Sequence, residues 1–168
     1  NDEFFRLNQT MTINFKYRRP FYRSARQVLL FVLSCGYLVG CFALELEPLT
    51  YQEALTRYQE TDGIENYRCA LVPADDHYRP IRDALPIAVE IDEKLFLKTA
   101  GTIQQLQQTD MSETSTAYAA DGMTATLAIV RQFNHSEYNE SDDRHVDLAF
   151  EVQGKTDTYK VFGAACGL

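Results

Sequence analysis

Tryptophan is absent from this chain of 168 residues, and glycine and proline are scarce, at 8 and 5. That scarcity excludes collagen-like and low-complexity architectures, which need both in quantity. The chain has no glycine-rich phosphate loop and no Gly-x-Ser-x-Gly elbow, so the signatures of P-loop nucleotide binding and of α/β-hydrolase chemistry are missing. Basic charge is also short: 16 Lys and Arg stand against 24 Asp and Glu, a net charge of −8. Apolar material is not short. The chain is 45% hydrophobic with 10 Tyr and 10 Phe, enough to fill a small core and too much for wholesale disorder. Its length fits one folded unit.

The charge is unevenly spread. Residues 1–43 carry six basic and two acidic groups, whereas residues 44–168 carry 10 basic and 22 acidic groups, a balance of −12. A surface this negative repels phosphate backbones, so no nucleic-acid partner is expected for the folded part. It would steer cationic partners toward itself, and a basic protein partner is the expectation.

From Met11 the chain reads MTINFKYRRPFYRSAR, with five basic residues and no acidic one, followed by the uncharged QVLLFVLSCGYLVGCFAL. Basic residues, then an apolar stretch, then small residues make a secretory leader. Residues 11–43 are therefore expected to be a signal peptide or lipoprotein leader. Residues 1–10, which precede Met11, are expected to be a non-native upstream segment. Leu38-Val39-Gly40-Cys41 resembles a bacterial lipobox, which would make Cys41 the lipidation site and tie the domain to a membrane. Cys41-Phe42-Ala43 also fits ordinary signal peptidase, leaving Leu44 first. An uncleaved anchor over Val28–Leu44 is the third reading, at the short limit for a bilayer span. The expected location is the periplasm or outer membrane, with an inner-membrane anchor or secretion as alternatives.

Residues 44–168 read as a single acidic domain. Thr50-Tyr51-Gln52-Glu53 is a capping-box pattern, in which hydroxyl and carboxylate exchange bonds with each other's backbone amides. Leu49 is placed to staple onto Ala54. Tyr51, Leu55 and Tyr58 share a helical face, and Gly63 offers a left-handed stop. These features predict an N-terminal amphipathic helix over about residues 51–61. Beyond Gly63 the period becomes two: Tyr67, Cys69, Leu71; Ile87, Val89, Ile91, then Leu95 and Leu97; Met123, Ala125, Leu127, Ile129; Val146, Leu148, Phe150, Val152. A turn at Gly154-Lys155 leads to Tyr159-Lys160-Val161-Phe162. Strands joined by short polar connections pair antiparallel, with one face apolar and the other wet. The expected fold class is α+β, mainly β: the helix followed by an antiparallel curved sheet or a small β-barrel.

Cys35 and Cys41 lie in the leader, so Cys69 and Cys166 are the thiols of the folded part. In an oxidising compartment they are expected to pair as a disulfide. Closing a loop of roughly 100 residues stabilises by about 4–5 kcal/mol in the chain-entropy model.

The most site-like stretch runs from Asn134 to His145. His135, Glu137, Asp142, Asp143 and His145 are candidate metal ligands there, although their spacing fits neither an EF-hand loop nor a His-x₃-His helix. A solvated loop between two strands is the simpler reading. Asn134-His135-Ser136 and Asn139-Glu140-Ser141 are glycosylation sequons that matter only in a eukaryotic secretory pathway. Asp75-Asp76-His77 follows Pro73-Ala74 and reads as a turn. Ser136 beside His135 is not a nucleophile and base, because adjacent side chains point apart.

Tyr67-Arg68-Cys69, the closing Cys166, the lipobox and the antiparallel strands resemble the plan of bacterial periplasmic inhibitors of c-type lysozyme. Ser112 to Tyr118 lies where that family has Ser-Ala-Ser-Gly-Ala-Arg-Tyr. The Gly and Arg of that stretch and the Trp-Lys segment after it are not in this chain, so the resemblance carries over no functional residue. It implies an inhibitor of a cationic hydrolase. The primary expectation is an exported envelope protein with a non-enzymatic binding or structural role and no cofactor. A metal-dependent or hydrolase-type enzyme is the remaining alternative.

Overall fold

The computed structural model describes residues 45–167. The leader readings, including Cys41, lie outside the described residues. Helix α1 spans Tyr51–Gln59. The Thr50 hydroxyl accepts from the Glu53 amide at 3.2 Å, and Glu53 Oε2 accepts from the Thr50 amide at 2.8 Å, so the capping box forms as expected. The helix ends before Gly63. The Glu60 amide closes the last turn by donating to Thr56 O, and the Thr61 and Asp62 amides turn back onto Tyr58 O. The helix lies at residues 51–59 of the chain and is not N-terminal.

Eight antiparallel strands follow: β1 Arg68–Pro73, β2 Ala88–Ile91, β3 Lys94–Thr99, β4 Thr102–Met111, β5 Ser115–Ala120, β6 Met123–Phe133, β7 Ser141–Val152 and β8 Lys155–Gly167. Each pairs with the next, and β1 pairs with β8, closing the barrel. Closure removes both sheet edges. It also decides between the open sheet and the barrel, which a period of two leaves undecided.

An eight-stranded barrel is just wide enough for side chains to fill it or for one small ligand. Here Leu71, Leu95, Leu97, Leu106, Leu148 and Phe150 fill much of the interior. At the lower end, Leu46 packs into this core, with its amide donating to the Tyr159 hydroxyl at 3.4 Å. The alternation read in β1, β6 and β7 matches this inward face.

In β2 and β3 one expectation fails. All four residues of β2 are buried, so neither face is wet. Val89, Ile91 and Phe96 point outward into a second core with Leu49, Ala54 and Tyr58 of the helix segment. Helix α1 thus covers the outer surface that the sequence pattern leaves to solvent. Register then turns Glu90 inward, opposite Cys69 on β1 and Leu95 on β3.

Cys69 and Cys166 are joined by a disulfide between β1 and β8. A bulge in β8 makes this geometry. Arg68 pairs with Gly167 and Leu71 with Gly163, so four steps of β8 oppose three of β1. Ala165 absorbs the irregularity at φ 47°, a conformation costly for a residue with a Cβ. Its amide is held by Asp143 Oδ1 at 2.9 Å.

Candidate functional site

The upper end of the barrel is bounded by the start of β1, the β2–β3 and β4–β5 hairpins, the β6–β7 connection and the end of β8. A cavity of about 760 Å³ opens there, within the size range of small-molecule sites. Tyr67, Glu90 and Arg144 lie at its depth, Thr116 and Ile129 on its wall, and Met111 at its lip.

A chain of polar side chains runs through the interior beneath it. Tyr118 donates its hydroxyl to Glu90 Oε1, and Tyr67 donates to Oε2 at 3.0 Å. Arg144 Nη1 donates to the Tyr67 hydroxyl at 3.0 Å. The Arg144 Nε and Nη2 donate to the two Asp142 oxygens, each at 2.9 Å, a bidentate pair. Glu90 is 6% exposed. A polar group at that depth is tolerated only when its hydrogen bonds are made.

Burial raises the Glu90 carboxyl above the ordinary carboxylate range, against the opposing pull of Tyr118, Tyr67 and Arg144. Burial and the facing Glu90 charge raise both the Tyr67 and the Tyr118 phenols, which therefore stay protonated as donors. Burial lowers the Arg144 pKa, but the Asp142 pair and the neighbouring Tyr67 and Glu90 outweigh it, and the guanidinium is held charged.

A second polar group stands toward helix α1. Asp92 accepts from the Tyr58 hydroxyl, from the Asn66 amide at 3.1 Å and from the Tyr67 amide at 2.9 Å. The hydrogen bond to Asp92, followed by burial, pushes the Tyr58 phenol up to about 12. Lys94 pairs with Asp62 and lies 5.6 Å from the Tyr58 ring centroid.

The metal candidates do not converge. Asp142 and Asp143 are neighbours on a strand, so their side chains leave opposite faces of β7. Asp142 is spent on Arg144. Asp143 accepts from Asn134 Nδ2 at 2.8 Å and from the Ala165 amide, and these two bonds lower its pKa. His145 lies on the outer face, stacked on Tyr78 at 5.1 Å with Phe133 edge-on at 4.9 Å. Burial, then the Arg131 charge, lowers its pKa. His135 and Glu137 are exposed on the connection between β6 and β7. Among the described residues, no three His, Cys, Asp or Glu side chains are placed to hold a metal ion.

Two other stretches prove to be scaffolding. Ser136 Oγ accepts from the Glu140 and Ser141 amides at 2.9 and 3.0 Å, shaping its loop. Asp75 accepts from the His77 and Arg79 amides and from the Arg79 side chain. The Arg79 bonds hold its carboxyl down at about 2.

No sequence motif marks Glu90 or Arg144, and Tyr118 enters the sequence reading only as the last residue of the Ser112–Tyr118 stretch, with no role attached to it. The one available signal is a lone Glu within the apolar run PIAVEI. The chain matches no family model, no curated protein and no solved structure.

Proposed function

We propose that this chain is an exported bacterial envelope protein, lipid-anchored through Cys41, whose barrel is a non-enzymatic binding domain with the upper cavity as its ligand site. The observation that carries this reading is the hydrogen-bonded series Tyr118–Glu90–Tyr67–Arg144–Asp142 beneath an open cavity of about 760 Å³. Setting five polar groups, Glu90 and Tyr118 of them buried, in a barrel that could be filled with leucine sacrifices stability, which a binding role accounts for. The two phenols are held protonated and the guanidinium charged. Such groups orient and select a ligand rather than shuttle protons.

The binding part is tested by native mass spectrometry on protein taken from the envelope fraction. A small-molecule adduct is expected on the wild type and is lost in Ile129→Trp, which fills the cavity from its wall. An Ile129→Trp variant that keeps the same adduct contradicts the assigned site. For export, a reporter joined after Leu44 should leave the cytoplasm, and acyl label should vanish in Cys41→Ser.

A second reading, an inhibitor of a cationic hydrolase, draws on the rim. Ile64, Met111 and Tyr138 are 84%, 68% and 76% exposed, and all three lie on connections at the upper end or beside them. Apolar side chains around an acidic mouth suit a basic protein surface. Salt-sensitive binding to c-type lysozyme in surface plasmon resonance, lost in Met111→Asp, would favour this reading over a small ligand.

A further inference from the structure

The charges around the upper cavity are unequal, and the inequality has a direction. Two cations line it, and each is already matched within the wall: Lys94 by Asp62 and Arg144 by Asp142. Three lining carboxylates, Glu90, Asp92 and Glu93, form no ion pair among the described residues. Glu90 and Asp92 are held by neutral donors only, namely phenol hydroxyls and backbone amides. Arg144 reaches Glu90 only through the Tyr67 hydroxyl.

A buried carboxyl group held by neutral donors alone leaves, once ionised, an uncancelled negative potential inside a low-dielectric wall. An anionic ligand entering this cavity would meet that potential with both wall cations already engaged. A cation would meet it favourably. The wall itself repeats this solution twice. Lys94 lies against Asp62 and 5.6 Å from the Tyr58 ring centroid, and Arg144 lies against Asp142 and 6.0 Å from the Tyr67 ring centroid. Carboxylate and aromatic face together form a favourable setting for a desolvated cation. The remaining wall is not polar throughout: Ile129 and Met111 offer apolar surface.

We infer that the cavity takes a small organic cation, a protonated amine carrying an apolar portion, with the ammonium group toward Glu90 and the apolar portion against Ile129 and Met111. This rests on the reading of the cavity as a ligand site and adds the chemical class. Glu90 is the selecting group and Glu93, exposed at the rim, contributes to encounter.

The test uses the full chain and three probes of similar size and different charge: 2-phenylethylamine, 2-phenylethanol and 3-phenylpropionate. Binding is read by calorimetry and by amide shifts at Tyr67, Thr116 and Ile129. The amine should bind at least about tenfold more tightly than the alcohol, the usual reach of a hydrogen bond to a charged group, and the carboxylate should bind weakest. Raising salt from about 0.1 M to about 1 M, which shortens the Debye length to about 3 Å, should weaken the amine and leave the alcohol unchanged. Glu90→Gln should erase the preference for the amine and keep binding of the alcohol, while Glu93→Gln should slow amine association only modestly. If Glu90→Gln does not fold, the charge preference of the wild type decides. Shifts at the three amides without a preference for the amine overturn the inference and leave the ligand site standing. No shift there with any probe overturns both.

Discussion

Glu90 and Tyr118 meet inside the barrel from strands 28 positions apart in sequence, with the phenol donating to the carboxylate. Neither residue is in contact with the other through the sheet's own ladder. The bond exists because β2 and β5 face each other across a closed interior.

Tyr118→Phe removes that donor and keeps the ring. The Glu90 Oε1 atom is then buried without its phenol partner, and the unfolding free energy should drop by about 1–3 kcal/mol. Urea denaturation measures it. A loss below a few tenths would mean that solvent in the cavity reaches Glu90 and replaces the phenol.

The upward shift of Glu90 sets a pH dependence. A carboxyl whose folded pKa exceeds its unfolded value binds more protons when folded, so its contribution to stability falls as pH rises through that window. The penalty is absent below the unfolded carboxylate range, near about pH 4.3, and complete above the folded value. Glu90→Gln lacks this penalty, so its stability relative to wild type should improve as pH rises above the unfolded carboxylate range. Paired denaturation curves across that range that stay parallel would show that Glu90 ionises at no extra cost.

Asp142 and Asp143 are adjacent in sequence and should respond differently. Asp142→Asn leaves Arg144 buried with half of its bidentate partner gone, and should cost about 3 kcal/mol. Asp143→Asn weakens two half-exposed hydrogen bonds and should cost about 1 kcal/mol. Equal losses would argue against the inward pairing of Asp142 with Arg144. Both carboxylates are engaged in hydrogen bonds within the barrel wall.

Gly163 faces the disulfide. A Cβ there would lie 2.5 Å from Cys166 Sγ and 2.6 Å from Cys69 Sγ, closer than packed atoms tolerate. Gly163→Ala should therefore destabilise the oxidised protein by about 1–3 kcal/mol and leave the reduced protein much less affected. Removing the disulfide itself, by Cys69→Ser with Cys166→Ser, should cost about 4–5 kcal/mol for the sequence separation of 97 it spans. Free alkylation of both Cys69 and Cys166 in protein purified without reductant would refute the bond.

The parts of this protein that its sequence determined by itself are those in which neighbours along the chain decide the outcome. Thr50 and Glu53 are three residues apart and cap one helix whatever lies beyond it. The inward sets of β6 and β7 follow from alternation, because each strand has one core face. The pairing of Cys69 with Cys166 follows from there being two thiols in the folded part. Strands β4 and β5, reading TIQQLQQTDM and STAYAA, carry too few apolar residues to show a period, and pairing with β3 and β6 sets which of their residues face the core. Glu90 reads as the wet residue of an amphipathic strand until helix α1 covers the outer side of β2 and closure of β1 on β8 turns its carboxylate inward. Arg144 and Tyr118 reach it from β7 and β5, and Tyr67 from the segment just before β1. Alternation reports which residues share a face; which face becomes the interior, and which polar groups meet there, depends on contacts between strands distant in sequence, and those only the tertiary structure decided.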